Sequence, residues 1–215
     1  MSADMILEYF AVHNDYDKIQ FQLALQCAPV IKGIKASNLY SLERKDIPML
    51  SSILGTLNLE YIFIGKGNKI LAFIYQKERL GKYLSRNDVI KFLKKYGYKN
   101  SNFDQLLLRL VMRIKEFQNK ENGFPHELGA FLEYPVRDVE GFIYNNGRNF
   151  LHTGYWKVYS NVEIAINRFK SYDKARDELL GYLLEGQRLN DIVDKISWKQ
   201  QLTRNRRITA YAFHI

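Results

Sequence analysis

Two short runs, Glu60 to Ile64 and Lys69 to Tyr75, are rich in Ile, Phe and Tyr and are separated by Gly65-Lys66-Gly67-Asn68. β-Branched and aromatic side chains suit a pleated surface, and the glycines supply backbone conformations that a tight turn needs. The pattern predicts a β-hairpin over 60–75. An isolated hairpin is marginal in water, so the rest of the chain must cover it.

That cover reads as helical. Asp15 to Gln26 carries Ile19, Leu23 and Gln26 at helical spacing, with Phe21 and Leu25 beside them, and is expected to stop before Pro29. Asp46, with Pro48 in the first turn, opens a helix to about Leu57. Three capping boxes follow: Ser85 with Asp88, Ser101 with Asp104, and Ser160 with Glu163. They open helices that run to about Tyr96, Asn119 and Leu184, stopped at Gly97, Gly123 and Gly186. Short strands are expected at 38–42 and 154–159. The fold class is α+β, a mainly helical single domain around a small antiparallel sheet.

Pro is scarce, at four residues, and there is no Gly/Ser-rich linker or internal repeat. One globular domain over 1–194 is expected, followed by a basic extension over 195–215. A single cysteine, Cys27, excludes an internal disulfide and points to a reducing compartment. The start of the chain lacks the basic and apolar regions of a signal peptide, and the apolar stretch from Leu106 to Ile114 is broken by Arg109 and Arg113. A cytoplasmic protein with no membrane partner is expected.

Net charge is +9, and Lys195, Lys199, Arg204, Arg206 and Arg207 stand in a final stretch with no acid. That cluster makes nucleic acid a candidate partner. Trp198 and residues 208–215 make a protein-interaction module a further one, by pairing with a sheet edge.

Residues with chemistry gather in three places. In the first, Cys27 sits at a helix C-terminus before a loop with Lys32, Lys35 and Asn38. The lysines favour a thiolate nucleophile, the helix carbonyls oppose it, and a buried structural cysteine is the alternative. In the second, Pro125 suits the first turn of a helix and places His126 and Glu127 near its start. His126 is a candidate acid or base, oriented by Glu127 or Asp138, with Tyr134 and Asn145 nearby. Five of the 13 glycines fall between Gly123 and Gly154, as backbone approach to a ligand would require. Helix punctuation explains the same residues equally well. In the third, Tyr155, Lys157 and Tyr159 share one face of the expected strand and Trp156 and Val158 the other, suited to stacking a flat ligand or fixing a phosphate. A core strand is the alternative. No phosphate loop, dinucleotide fingerprint, nucleophile elbow or zinc spacing is present.

These segments together resemble a bacterial family of domains of unknown function, number 3793. The residues are Cys27-Ala28-Pro29 with Gly33-Ile34-Lys35 and Asn38-Leu39; Phe124-Pro125-His126-Glu127 with Gly129 and Phe131-Leu132; Tyr134-Pro135 with Asp138-Val139 and Gly141-Phe142-Ile143; and Gly154 to Tyr159. The resemblance covers roughly residues 20–175. The family's lysine loop usually reads Lys-Pro, where this chain has Lys35-Ala36. It implies one fold for these motifs and carries no activity, cofactor or catalytic residue.

The resulting expectation is a pocket for a small or anionic molecule where the Cys27–Asn38 loop meets the His126–Asn149 segment. There Cys27 or His126 would supply thiol- or histidine-dependent chemistry. Lys32, Lys35 or Lys157 would anchor an anion. Cofactor and oligomeric state are left open.

Overall fold

The hairpin forms as expected, and its second strand becomes the centre of the fold. In a computed structural model that describes residues 3–99 and 102–192, β1 (Ser37–Glu43) and β2 (Glu60–Ile64) both pair antiparallel with β3 (Lys69–Tyr75). The order is β1-β3-β2. A central strand is covered on both faces. Ile70, Ala72 and Ile74 of β3 enter one core cluster, and Phe73 and Tyr75 enter a second. This is why β3 is an unbroken apolar run rather than an alternating one.

The first face is covered by α2 (Asp15–Ile31), α3 (Ile47–Thr56) and α9 (Val162–Leu184). Phe21 and Leu23 of α2, Leu50 and Leu54 of α3, and Leu179 and Leu183 of α9 are buried there. Each such side chain contributes about 1.5–3 kcal/mol by leaving water. Beyond α9 the chain returns to α2, where the Leu189 amide donates to buried Gln20 Oε1 at 3.0 Å. The second face is covered by α4 (Lys77–Leu84), α5 (Asn87–Lys94), α6 (Phe103–Gln118), α7 (Leu128–Phe131) and α8 (Val136–Tyr144). A two-residue ladder of β4 (His152–Thr153) and β5 (Lys157–Val158) links α8 to α9. Helix α1 (Ala3–Val12) precedes α2. No helix among the described residues is long and apolar enough to cross a membrane.

The expected helices are present, but their starts and stops differ. Helix α2 runs past Pro29 to Ile31, because Pro29 sits in the last turn and its carbonyl accepts from the Ile34 and Lys35 amides. Asn14 caps that helix, accepting from Asp17 N. Asp46 makes no side-chain cap bond. Ser85 is not an N-cap either. It closes α4, a helix with no sequence signal above, and its hydroxyl donates to Lys82 O at 2.9 Å. Asp88 instead pairs with Arg86 at 2.8 Å. Ser101 lies outside the described residues, and Asn102 caps α6 by accepting from Gln105 N. Ser160 gives both its amide and its hydroxyl to Asp138, leaving Asn161 as N-cap of α9 at φ 47°. Serine hydroxyls choose among nearby acceptors, and here other acceptors won.

The strand expected at 154–159 is a turn, with only Lys157 and Val158 paired. The basic stretch after residue 192, with Lys195, Trp198, Lys199, Arg204, Arg206 and Arg207, lies outside the described residues.

Candidate functional site

Of the three buried carboxylates between Phe124 and Asn161, Glu127, Glu133 and Asp138, the last ties the segment together. Asp138 lies in the first turn of α8 and is 2% exposed. Its Oδ2 accepts from Trp156 Nε1 at 2.8 Å. Its Oδ1 accepts from the amides of Tyr159 and Ser160 and from the Ser160 hydroxyl, each at 2.9 Å. Four donors offset the loss of water around a buried anion. The β4–β5 turn is thereby tied to α8. Trp156 is held with its ring stacked on Tyr134 at 5.1 Å and edge-on to Phe169 at 4.5 Å.

Close packing holds the same junction. A Cβ on Gly141 would lie 2.5 Å from Cβ and Cγ of Tyr159. Alanine favours an exposed helix interior by about 1 kcal/mol over glycine. Here the clash outweighs that gain, so Gly141→Ala is expected to destabilise by about 1–3 kcal/mol in urea unfolding. A stabilised variant would show that α8 and Tyr159 part easily.

Behind this junction lies a cavity of about 200 Å³, lined by Leu128, Leu132, Tyr134, Val139, Phe142 and Trp156, with Phe124, His126 and Lys157 also in its wall. Aromatic rings run in a row along its mouth. Phe117 meets Phe124 at 5.2 Å, Phe124 meets His126 at 5.2 Å, and His126 meets Phe142 at 5.4 Å. Lys157 Nζ lies 5.8 Å from the Phe142 centroid and 4.9 Å from that of Phe150. Phe117, Phe124 and Phe150 are 41%, 48% and 41% exposed. His126 is exposed too, and its imidazole has no hydrogen-bond partner among the described residues.

The expected partners of His126 are engaged elsewhere. Glu127 is fully buried, and its Oε1 takes Arg113 Nε at 2.9 Å and Tyr98 Oη at 3.5 Å. Adjacent residues of one turn point to opposite sides here, so no His–Glu dyad forms. The Asp138 oxygens serve Trp156 and residues 159–160. Lys157 donates to Gly147 O at 2.7 Å, closing the C-terminus of α8. Asn145 donates to Gly141 O of its own helix. Tyr155 donates to Asp173 Oδ1 at 3.0 Å, and burial first, then this carboxylate, pushes its hydroxyl up to about 12.

The loop 33–38 does meet the second segment, though at 131–134 rather than at His126. The Ala36 amide donates to Glu133, and the Ser37 hydroxyl donates to Phe131 O. Arg79 grips both sides, bonding Glu133 at 2.7 and 3.0 Å and Gly33 O at 3.1 Å. Glu133 holds its place at φ 62°. Lys35 is 3% exposed, donates to Asn38 Oδ1 at 2.7 Å and lies over the Tyr134 ring. Burial drives its ammonium down to about 8. Asn38 turns its amide to Gln26 O and toward Cys27 Sγ at 3.7 Å.

Cys27 itself is fully buried, and burial pushes its thiol up to about 11 against the lowering influence of Asn38 and Lys35. Desolvation overrides the lysines, so the thiolate expectation does not hold at neutral pH. Lys32 is ion-paired with Glu178 and is not free to anchor an anion. Among the described residues no group of three or more His, Cys, Asp or Glu is placed to hold a metal ion. The cavity therefore gathers His126, Tyr134, Asp138, Trp156 and Lys157. Cys27, Lys35 and Asn38 form a separate buried cluster.

The sequence did not mark Glu133 or Arg79, and it offered Phe124 and Phe142 only within the family segments, not as site residues. An acid inside Phe131-Leu132-Glu133-Tyr134 was the one available hint for Glu133. Nothing local marks Arg79, whose partner is 54 residues away.

A family model described as "Protein of unknown function (DUF3793)" matches residues 23–193. No curated protein and no solved structure matches the chain.

Proposed function

We propose, from the premise that the chain belongs to the DUF3793 family of proteins of unknown function, that it binds a small, mostly apolar molecule in the cavity between α7, α8 and β5. The carrying observation is the exposed row of aromatic rings that leads into an apolar cavity. Apolar surface in such a row is usually kept for a ligand. His126 and Lys157 are the polar groups at the mouth. They suit a ligand with one hydrogen-bond acceptor or anionic group. A histidine with no carboxylate to orient it favours binding over general-base catalysis.

The test uses 1-anilinonaphthalene-8-sulfonate, which combines fused rings with one anion. Saturable binding of one dye per folded chain is expected. Phe124→Ala and His126→Ala, both at exposed positions, are each expected to weaken it about fivefold or more, with an unchanged melting midpoint. Dye binding indifferent to both substitutions would place the site elsewhere. Native mass spectrometry of the freshly purified protein then asks which natural molecule travels with it.

A further inference from the structure

A second cavity lies on the other side of the Trp156–Asp138 bond. It is a cleft of about 720 Å³ between α5, α8 and α9. Five cations line it: Arg86, Lys91, Lys95, Arg137 and Arg168. Four acids line it as well, and each is already held. Asp88 is paired with Arg86, and Glu140 with Lys95, at 2.8 and 2.7 Å. Glu133 is gripped by Arg79 from behind the cleft. Asp138 accepts its four hydrogen bonds from residues 156–160.

What remains facing the opening is cationic. Lys91 and Arg137 are exposed, and neither has an ion-pair partner among the described residues. Arg168 is half-buried. Its described neighbours are the Trp156 ring, at 5.9 Å from the centroid, and the Glu133 carbonyl at 3.5 Å. These three cations stand against one carboxylate with no cationic partner, Asp138, and the excess focuses a positive potential into the cleft.

We propose that this cleft is a binding site for a small molecule carrying two or more phosphate charges. Two guanidinium groups and one ammonium match phosphate oxygens in both fork and point-charge geometry. The cations line one cleft rather than running as a stripe along an open face. That arrangement favours a compact phosphorylated ligand over a nucleic-acid strand, which needs a track. The site is distinct from the apolar cavity but shares its dividing wall. Trp156 lines both, so occupancy of the cleft should be visible in its fluorescence through the Arg168 contact.

The experiment titrates the full chain with pyrophosphate, following Trp156 fluorescence in a Trp198→Phe background and the heat of binding in the native sequence. One site per chain is expected, with inorganic phosphate binding more weakly. The double substitution Lys91→Glu with Arg137→Glu, at two exposed positions, is expected to weaken pyrophosphate by about 30-fold or more. The same charge change at Lys115 and Lys174, exposed outside the cleft, is expected to cost about twofold or less. Absence of saturable pyrophosphate binding overturns the proposal. Equal losses in the two double variants overturn it too, because net charge would then be the cause. Binding of single-stranded RNA that pyrophosphate cannot displace, lost in the cleft variant, overturns the small-molecule assignment in favour of a nucleic-acid track. The dye experiment above is indifferent to Lys91 and Arg137, so the two sites fail or stand separately.

Discussion

Asp138→Ala is expected to lower stability by about 4 kcal/mol or more. The carboxylate accepts from Trp156 Nε1, two backbone amides and one hydroxyl, all in a buried place. Removing it strands four donors, and a hydrogen bond to a charged group contributes about 1.5–3 kcal/mol. The total is less than four such losses, because the freed turn at 154–161 can move toward water and recover part of the difference. Asp138→Asn keeps one acceptor oxygen but turns an NH₂ toward donors, so it is expected to lose most of the same stability. Urea unfolding measures both. A loss under about 1 kcal/mol would mean that Trp156 and Ser160 find other acceptors, and that the turn is not held as described. Dye binding should fall in both variants, since Trp156 forms part of the apolar cavity.

Lys35→Met is expected to stabilise the protein at neutral pH, by about 1 kcal/mol or more, with a gain that disappears in alkali. Lys35 is buried with Asn38 and the Tyr134 ring as neighbours and no ion-paired carboxylate among the described residues. Burial lowers its ammonium from 10.5 to about 8. A depression of that size corresponds to a cost of about 3 kcal/mol for keeping the charge in the folded state. Methionine has similar reach and no charge, though it leaves Asn38 Oδ1 without its donor, which returns about 1–2 kcal/mol of the gain.

The pH dependence follows from proton counting. Between about 8 and 10.5 the unfolded chain holds a proton on Lys35 that the folded chain has released, so native stability rises with pH across that window. The buried Cys27 thiol acts in the opposite sense. Its folded value is raised from 9.0 to about 11, so its contribution is complete below the unfolded value and is lost as pH rises through that range. Cys27 is present in both proteins, but losing Lys35 removes a charge that lowers its thiol, so its decline with pH extends further in the variant and narrows the gap in the same direction. The stability gap between Lys35→Met and the parent should therefore narrow from pH 8 to pH 10.5. A gap that is constant with pH, or a variant weaker throughout, would show that the ammonium is not the strained group.

Local pattern was enough for the framework. The 60–75 hairpin, the helices behind Asp15, Asp46, Ser85, Ser101 and Ser160, and the α+β class follow from side-chain periodicity and turn chemistry. Apolar periodicity acts between neighbours in the chain and gave these helices even where the expected caps at Asp46, Ser85 and Ser160 did not form. The Phe124–His126 and Tyr155–Lys157 segments were also visible, as a density of aromatic and polar residues that helical or strand periodicity alone did not require.

What tertiary structure decided was the use of each polar group. Ser160 and Glu163 have the spacing of a capping box, yet the serine turned to Asp138, 22 residues earlier in the chain. Glu133 took the Ala36 amide from 97 residues away and Arg79 from 54. Cys27 sat beside lysines in the chain, and burial still raised its thiol. A local cap contributes about 1 kcal/mol, whereas a buried anion left without donors costs several. Only the packed chain reveals which donors and acceptors lose their water, and that loss selects which local preferences are kept.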